Sequence, residues 1–310
     1  MNSPLKINYE LRPAKFVERK MLLTSLANIC KHYKCDYQYI GFGGIAFTDF
    51  KLFHKELHIN EMISIEGGSQ VEEERIKFNK PFSFINLEFG LSTTILPKIN
   101  LNKPSIVWLD YDDVLNNNMF EDIAILFRKL PIGSVYLFSS NRELKDKNTG
   151  NEYEIESFKE KFGTLAPFNI KNKDFSGTEN FKTIRKMLLS HASSFLTERN
   201  LSKENLKFHQ LYNFLYQENR GAKMFTFGGI IEKDDFQIKD LGICGFDFLK
   251  TKEEPYRIKI PNLTNKETDW INKHFGTEEK LISSKIVKKE DLDKYKKTYK
   301  YLPNFYDVSV

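Results

Sequence analysis

Residues 41–44, Gly-Phe-Gly-Gly, follow an apolar segment and form the turn in this sequence best suited to holding a ligand. Glycine permits positive φ and lets backbone N–H groups come close to a bound molecule. About twenty residues later, the next apolar segment ends in Glu66. Because neighbouring strand ends meet at one crevice in a parallel sheet, the Glu66 carboxylate could accept hydrogen bonds from both hydroxyls of a ribose. The spacing favours a nucleoside-type ligand.

The same residues have other interpretations. A glycine turn after a strand also serves close packing, and Glu66 with Ser69 could cap the following helix. Gly41, Gly43 and Ala46 also satisfy the G-x-G-x-x-A fingerprint of NAD-binding domains. The turn by itself therefore leaves the ligand open between an adenosyl compound and a dinucleotide.

A second group of reactive side chains, the acidic cluster Asp110-Tyr111-Asp112-Asp113, ends a later apolar segment. Carboxylates at that place could deprotonate a hydroxyl as a general base, or hold one hard divalent cation that lowers the hydroxyl pKa. We expect Asp110 to carry this chemistry with Tyr111 and Asp112 beside it, whereas Asp112 or Asp113 could instead cap the next helix. Asn141 is better explained by turn chemistry than as a metal ligand, and no metal is assigned.

Cations lie on the inward face of the helix predicted near the N-terminus. At 100° per residue, Arg12, Lys15 and Arg19 project onto its apolar stripe. An unpaired buried cation is costly, so each needs an anionic partner. That partner is a protein carboxylate such as Glu66 or Glu88, or an acidic group of a ligand. We expect ligand contact chiefly for Arg12 and Lys15.

The first half of the chain has the pattern of a scaffold that would bring these residues together. Short apolar segments alternate with amphipathic ones, as in a parallel sheet with crossover helices. The predicted strands are 37–42, 62–66, 82–88, 105–110 and 134–139. The predicted helices are 13–31, 49–57, 70–79, 91–99 and 119–130. The candidate residues then fall at the carboxyl ends of the strands, where ligands bind in such sheets.

The second half adds an insertion, a hairpin and an appendage to this sheet. The composition is polar from about 143 to 180, helices are predicted at 181–196 and 207–217, and strands at 222–231 and 236–240. The last two strands would form an antiparallel hairpin beside the parallel ones. The predicted fold class is therefore α/β, a doubly wound and mostly parallel sheet with a C-terminal antiparallel hairpin. Residues 1–250 would form the main domain, and residues 251–310, with a helix at 266–275, a small helical appendage.

The composition limits the class of protein. A chain of 310 residues with 40% hydrophobic content can bury a sizeable core. Its net charge of +5, from 47 basic and 42 acidic residues, is too dilute for a nucleic-acid signature. Three scattered cysteines predict neither a disulfide framework nor a zinc cluster, the first residues lack a signal-peptide core, and no segment approaches the roughly 18 apolar residues of a membrane span. We therefore expect a cytoplasmic protein without a membrane partner.

Together these segments resemble the class I methyltransferases that depend on S-adenosylmethionine (SAM), and more narrowly a bacterial group of O-methyltransferases. The likeness covers most of the chain and rests on residues 11–15, 18–19, 41–44, 47–50, 62–66 and 108–112. A terminal antiparallel strand is the layout of those methyltransferases, which favours SAM over NAD. One departure is the strand before Gly41, which lacks the acidic residue that many class I enzymes carry there.

The resemblance implies a Rossmann-like fold and SAM as the cofactor. It implies a cofactor site made of the methionine loop Gly41, Gly43 and Gly44, the ribose ligand Glu66 followed by Gly67, and the adenine neighbours Glu88 and Phe89. Asp110, Tyr111 and Asp112 would meet the methyl acceptor. Arg12 and Lys15 would contact an acidic group of the acceptor or the SAM carboxylate.

The leading functional hypothesis is O-methylation of an unidentified acceptor, which the inward cations allow to be anionic. A second hypothesis is a SAM- or nucleotide-binding subunit without catalysis, whose protein partner would bind the basic region 288–300. A third is an NAD-dependent oxidoreductase. The sequence leaves a nucleic-acid partner open.

Overall fold

The computed structural model describes residues 12–67, 70–146, 149–218 and 221–302. The strands are β1 (Gln38–Gly41), β2 (Glu61–Glu66), β3 (Ile85–Phe89), β4 (Ser105–Val114), β5 (Val135–Asn141), β6 (Leu206–Gln217), β7 (Lys223–Lys233) and β8 (Tyr256–Arg257). The helices are α1 (Pro13–Tyr33), α2 (Thr48–Leu57), α3 (Gln70–Asn79), α4 (Ser92–Ile95), α5 (Asn117–Lys129), α6 (Ile155–Phe162), α7 (Asn180–Asn200), α8 (Asn265–Lys273), α9 (Glu278–Ser283) and α10 (Lys289–Thr298). No helix in these ranges is both long and apolar enough to cross a membrane.

The strands within the described residues form one sheet in the order β3-β2-β1-β4-β5-β7-β6-β8. The first five strands in that order pair in parallel. β7 is antiparallel to both β5 and β6, and β8 is parallel to β6. The predicted α/β fold, a mostly parallel sheet with a C-terminal antiparallel hairpin, is confirmed.

The central strands are buried on both faces, which explains their nearly continuous apolar sequences. On β4, Ile106 and Trp108 pack with α1 and α2, whereas Val107 and Leu109 pack with α5 and α7 on the opposite face. Because both layers are apolar, the polar ends of the strands are the places where the sheet can present functional groups.

The prediction of a helix at 207–217 is wrong, because this segment is β6. Phe208 lies three residues before Leu211 and four before Tyr212, a spacing that imitates an amphipathic helix. β6 is almost wholly buried because both faces of the sheet are covered there, with Phe208 in one apolar cluster and Tyr212 in the other. It therefore shows no alternation with polar residues. An irregularity between Gln210 and Tyr212 also shifts its register against β7.

The predicted strand at 236–240 is also wrong, since a short 3₁₀ helix, Ile238–Leu241, follows the turn after β7. The hairpin is formed by β6 and β7 instead. The two strands approach closely at Gly229, where an added Cβ would lie 2.2 Å from the carbonyl oxygen of His209. Glycine is therefore required there for pairing.

The C-terminal helices α8 to α10 enclose a small apolar cluster of their own, formed by Ile271, Leu281, Val287, Leu292 and Tyr295. β8 extends the main sheet beyond the predicted domain boundary at residue 250. The appendage also contacts the main unit through Tyr301, whose ring packs against Phe248 with centroids 5.6 Å apart.

Candidate active site

A cavity of about 410 Å³ opens at the carboxyl ends of β1, β2, β3 and β4. It lies where ligands bind in open α/β sheets. Its lining is formed by Phe42, Gly44, Ile65, Glu66, Gly67, Glu72, Ile76, Gly90, Leu91, Ser92, Asp110, Tyr111, Asp112, Asp113, Asn116, Asn118 and Met119. The fold thus brings the glycine turn, Glu66 and the acidic cluster together.

The glycine turn leads from β1 into α2 and is built around very close contacts. A Cβ added at Gly43 would lie 2.5 Å from the Ser64 hydroxyl oxygen and 2.7 Å from Oε1 of Glu66. Gly44 has φ +54°, in the left-handed region that favours glycine. Because Gly43 has no side chain, the backbone of the turn can pack directly against the end of β2.

Glu66, at the end of β2, is 4% exposed, and its carboxylate binds the backbone of the turn. Its Oε1 accepts hydrogen bonds from the backbone N–H of Gly43 at 2.9 Å and the hydroxyl of Ser64 at 2.5 Å, and its Oε2 accepts one from the N–H of Gly44 at 3.2 Å. Burial raises the pKa of Glu66, while these three hydrogen bonds favour its charged form. The carboxylate is thereby fixed beside the turn.

The cavity has a marked excess of negative charge. Five carboxylates line it, from Glu66, Glu72, Asp110, Asp112 and Asp113. Among the described residues that line it, none is Lys or Arg. The arrangement favours a ligand that carries positive charge.

Lys15 joins the first turn of α1 to the end of β4. Its fully buried ammonium nitrogen lies 2.8 Å from Oε2 of Glu18 and 2.8 Å from Oδ2 of Asp110, over the ring of Trp108 at 4.4 Å from the centroid. Burial alone would raise the pKa of Asp110, but the charges of Lys15, Arg19 and Arg12 hold it below its ordinary value. Asp110 therefore stays ionised, which makes it a weak base. The anionic partners of Lys15 are protein carboxylates other than Glu66 and Glu88.

Arg19 forms a similar inward pair. Its Nε lies 2.5 Å from Oδ1 of Asp49 in α2, and both side chains line a small cavity of about 50 Å³ behind the glycine turn. Asp110 and Asp112 line that cavity as well. Arg12, at the N-terminal cap of α1, is close enough to influence Asp110 electrostatically. The predicted inward cations thus lie near Asp110, the first residue of the acidic cluster.

Asp122 is a site residue that the sequence interpretation missed. It is fully buried on α5, and its Oδ2 accepts hydrogen bonds from the hydroxyls of Tyr111 at 2.6 Å and Ser92 at 2.5 Å, both on the cavity wall. Burial raises its pKa to about 6, against the effect of these hydrogen bonds. Its sequence position could have revealed it, because Asp122 lies on the apolar face of α5, three residues after Met119 and one before Ile123. A carboxylate on such a face must find polar partners in the interior.

The predicted adenine neighbours lie outside this cavity. Glu88 is exposed on β3, and Phe89 is half-buried with the ammonium of Lys77 5.4 Å from its ring centroid. The cavity wall beyond β3 is formed instead by Gly90, Leu91 and Ser92. Gly67 does line the cavity, whereas Ser69, which the sequence pairs with Glu66 as the alternative helix cap, lies outside the described residues.

Helix α5 is capped by Asn116, whose side chain accepts a hydrogen bond from the N–H of Met119. The interpretation of Asp112 or Asp113 as this cap is therefore wrong, because β4 continues through both residues to Val114. Asn141 does serve a turn, since its Oδ1 accepts the N–H of Glu143 at 3.0 Å. Among the described residues, no group of three or more His, Cys, Asp or Glu side chains could hold a metal ion.

Comparison with known proteins adds an independent line of evidence. Residues 7–310 match the model of a family described as "Putative O-methyltransferase". No curated protein matches the chain in sequence. Solved structures that resemble it include a spermidine synthase from Thermotoga maritima, with 13% identity over 78% of this chain and 67% of that chain and a TM-score of 0.40. An O-methyltransferase from Bacillus cereus in complex with SAH has 11% identity over 70% and 81% of the two chains and a TM-score of 0.36.

Proposed function

The chain belongs to this family of O-methyltransferases, and from that premise we propose that it transfers a methyl group from SAM to an oxygen atom of its acceptor in the cavity beside Glu66. The observation that carries this proposal is the lining of the cavity, which combines a carboxylate-held glycine turn with an excess of negative charge.

The charge of the cavity fits SAM better than a dinucleotide. SAM carries a positive sulfonium, a positive ammonium group and one carboxylate, and its net positive charge suits a cavity lined by five carboxylates, of which Asp110 is paired with Lys15. The pyrophosphate of NAD would meet the same carboxylates unfavourably. It would also find the N–H groups of Gly43 and Gly44 already bonded to Glu66, although such groups normally bind the pyrophosphate.

Different residues around the cavity would bind the ribose and the adenine of SAM. Glu66 would exchange a hydrogen bond from the turn for one from a ribose hydroxyl, with Gly41, Gly43, Gly44 and Gly67 allowing the close approach. Ile65, Ile76 and Leu91 would supply apolar surface for the adenine ring. Glu88 and Phe89 do not line this cavity, so they would have no part in this binding.

SAM supplies an electrophilic methyl group, and the protein must bring an acceptor oxygen in line with it. As the new carbon–oxygen bond forms, the carbon–sulfur bond breaks and the electron pair returns to sulfur. A hydroxyl acceptor would give its proton to Asp112, an exposed carboxylate that lines both cavities. Asp110, held ionised by Lys15, would stabilise the sulfonium electrostatically, and Tyr111, fixed by Asp122, would border the reacting atoms.

Arg12 has a different place in this proposal from Lys15. Lys15 has its anionic partners within the protein, so it would act by positioning Asp110. Arg12, half-buried at the start of α1, would contact an acidic group of the acceptor or the SAM carboxylate. We also propose a cytoplasmic location and a bacterial origin, which the three scattered cysteines and the family likeness support.

Titration calorimetry with SAM tests the cofactor site. We expect Glu66→Gln to bind SAM at least about tenfold more weakly, because a charge-assisted hydrogen bond to ribose is lost. Glu61→Gln is the matched control, since Glu61 begins the same strand and is exposed and paired with Lys103. Equal affinity for SAM in the two variants, both folded by circular dichroism, would place the cofactor elsewhere.

Transfer of a labelled methyl group from SAM to a cell extract separates catalysis from simple binding. Asp112→Asn should bind SAM but lose most incorporation of label, and Asp110→Ala should lose both activity and part of the SAM affinity. Asp234→Asn, which changes an exposed aspartate bonded to Lys207, should behave like the wild type. SAM binding without any label transfer by the wild type would favour the non-catalytic subunit.

A further inference from the structure

A second and larger cleft, of about 810 Å³, lies between the carboxyl edge of the sheet and the C-terminal helices. It falls within the size range of pockets for small molecules. The lining comes from the start of α1, the ends of β5 and β6, the start of β7, the segment from β8 onward and α10. These residues are Pro13, Arg142, Leu215, Tyr216, Gln217, Glu218, Lys223, Arg257, Ile258, Lys259, Ile260, Pro261, Asn262, Glu290 and Lys294.

The charge of this cleft is opposite to that of the cavity beside Glu66. Five cationic side chains line it, namely Arg142, Lys223, Arg257, Lys259 and Lys294, against the carboxylates of Glu218 and Glu290. Both carboxylates are engaged, because Glu218 accepts the backbone N–H of Lys15 at 2.8 Å and Glu290 pairs with Lys294 at 2.9 Å.

Carboxylates outside the cleft neutralise its cations only in part. Glu143 pairs with Lys223 at 3.2 Å but lies equally close to Lys145. Glu179 lies 3.6 Å from Nη2 of Arg257 and only 2.9 Å from the ammonium of Lys182. Glu143 and Glu179 are thus shared with lysines that do not line the cleft, whereas Lys294 is paired with Asp291 at 3.1 Å as well as with Glu290.

Arg142 and Arg257 are the most informative pair in the cleft. Arg142 is 9% exposed, and its Nη1 donates to neutral oxygens, the carbonyl of Gly177 at 3.1 Å and the side chain of Asn180 at 2.5 Å. Burial lowers the pKa of Arg142 and the nearby charge of Arg257 lowers it further, while the charges of Glu143 and Glu179 oppose this shift. Two guanidinium groups that repel each other at the wall of a cleft would be stabilised by an oxyanion between them.

The cleft adjoins the proposed site of methyl transfer through the first turn of α1. Pro13 lines the cleft, and the N–H of Lys15 is bonded to Glu218. The ammonium of the same Lys15 contacts Asp110, which lines the cavity. One helical turn therefore separates a cationic cleft from an anionic cavity.

We propose that this cleft binds the methyl acceptor by an oxyanion group, a phosphate or a carboxylate, held between Arg142 and Arg257 with Lys259 beside them. The acceptor is accordingly an anionic small molecule whose charged end lies away from the carboxylates of the SAM cavity. This inference rests on the proposed methyl transfer, since it assigns the second substrate of that reaction. Lys223 and Lys294 would add to the attraction at longer range.

Titration calorimetry with pyrophosphate and, separately, with citrate at matched ionic strength tests the cleft. We expect saturable binding of at least one probe, weakened at least about tenfold in Arg257→Ala and less in Arg257→Lys. Arg128→Ala is the matched control, because Arg128 is also partly exposed and lies 3.7 Å from one carboxylate, that of Glu198. Stronger binding of pyrophosphate would identify a phosphate, and stronger binding of citrate a carboxylate.

Two further measurements keep this inference distinct from the proposed function. Arg257→Ala should bind SAM with wild-type affinity and yet incorporate about tenfold less labelled methyl from SAM than Arg128→Ala. If neither probe binds, or if Arg257→Ala and Arg128→Ala behave alike toward both probes and in methyl transfer, the acceptor site is wrong. If the probes bind as expected and the wild type does not bind SAM, the cofactor assignment fails while the anion site remains.

Discussion

The ammonium nitrogen of Lys15 lies 2.8 Å from Oδ2 of Asp110, and this contact ties the first turn of α1 to the end of β4. The side chains of Lys15 and Glu18 are fully buried and that of Asp110 is 11% exposed, so one cation neutralises two carboxylates with little access to water. A buried charge that loses its partner costs several kcal/mol, so this group is sensitive to substitution.

Replacing Lys15 by methionine should reduce the free energy of unfolding by about 3–5 kcal/mol, because Glu18 and Asp110 would lose their shared counter-ion. Urea denaturation followed by circular dichroism measures the change. Lys20→Met provides the control, since Lys20 is half-buried on the same helix, and its effect should stay within about 0.5 kcal/mol. Similar losses in the two variants would show that the buried ion pairs do not stabilise the fold.

Replacing Gly43 by alanine should weaken the binding of SAM. The new methyl group would press on Ser64 and Glu66, which must move away from the turn and from the proposed ribose position. Calorimetry should show a loss of at least about tenfold. Gly245→Ala is a suitable control, because an added Cβ there has no atom of the described structure within 4 Å. Wild-type affinity in Gly43→Ala would contradict the assigned turn.

Asp122 should make stability depend on pH in a direction opposite to that of most carboxylates. Its pKa is about 6 in the folded protein and about 3.8 when exposed, so the folded state binds the proton more tightly. The contribution is present below about pH 3.8 and is lost as the pH rises through about 6. The free energy of unfolding of Asp122→Asn, measured relative to that of the wild type, should therefore rise by about 2–3 kcal/mol from pH 4 to pH 7.

Urea denaturation at both pH values measures this difference for Asp122→Asn. Glu121→Gln, at the exposed neighbouring position, should show no comparable change with pH. A constant difference between wild type and Asp122→Asn across this range would mean that Asp122 titrates normally.

Replacing Asn116 by alanine should cost about 1 kcal/mol of stability, because α5 would lose the side chain that accepts the N–H of Met119. Asn116→Asp should keep most of the stability, since aspartate caps helices about as well as asparagine. Thermal and urea unfolding of both variants test this assignment. If Asp113→Ala were the more damaging substitution, the cap would belong to the acidic cluster after all.

The sequence predicts the parallel half of the sheet well because its strands are apolar, short and separated by clear turn residues. β2 and α3 differ from their predicted ranges by no more than one residue. The glycine turn and Glu66 follow from the same pattern, since a chain that alternates strands and helices must bring those strand ends together. Helical periodicity alone predicts that Lys15 and Arg19 face inward, as they do.

Pairings between distant segments could not be predicted in the same way. β6 is buried on both faces of the sheet by distant segments, which removes the alternation that marks a half-exposed strand. The role of Asp122 depends on hydroxyls of Ser92 and Tyr111, which come from two other elements. Such contacts are set by tertiary packing and leave little trace in local spacing.

The first turn of α1 has a consequence for how two ligands would influence each other. Its backbone is bonded to Glu218 in the cationic cleft, and its side chain is bonded to Asp110 in the anionic cavity. A shift of this turn when one ligand binds would alter the other site, and thermodynamic linkage requires any such change in affinity to be reciprocal. The affinity for SAM measured with pyrophosphate present would then change by the same factor as the affinity for pyrophosphate measured with SAM.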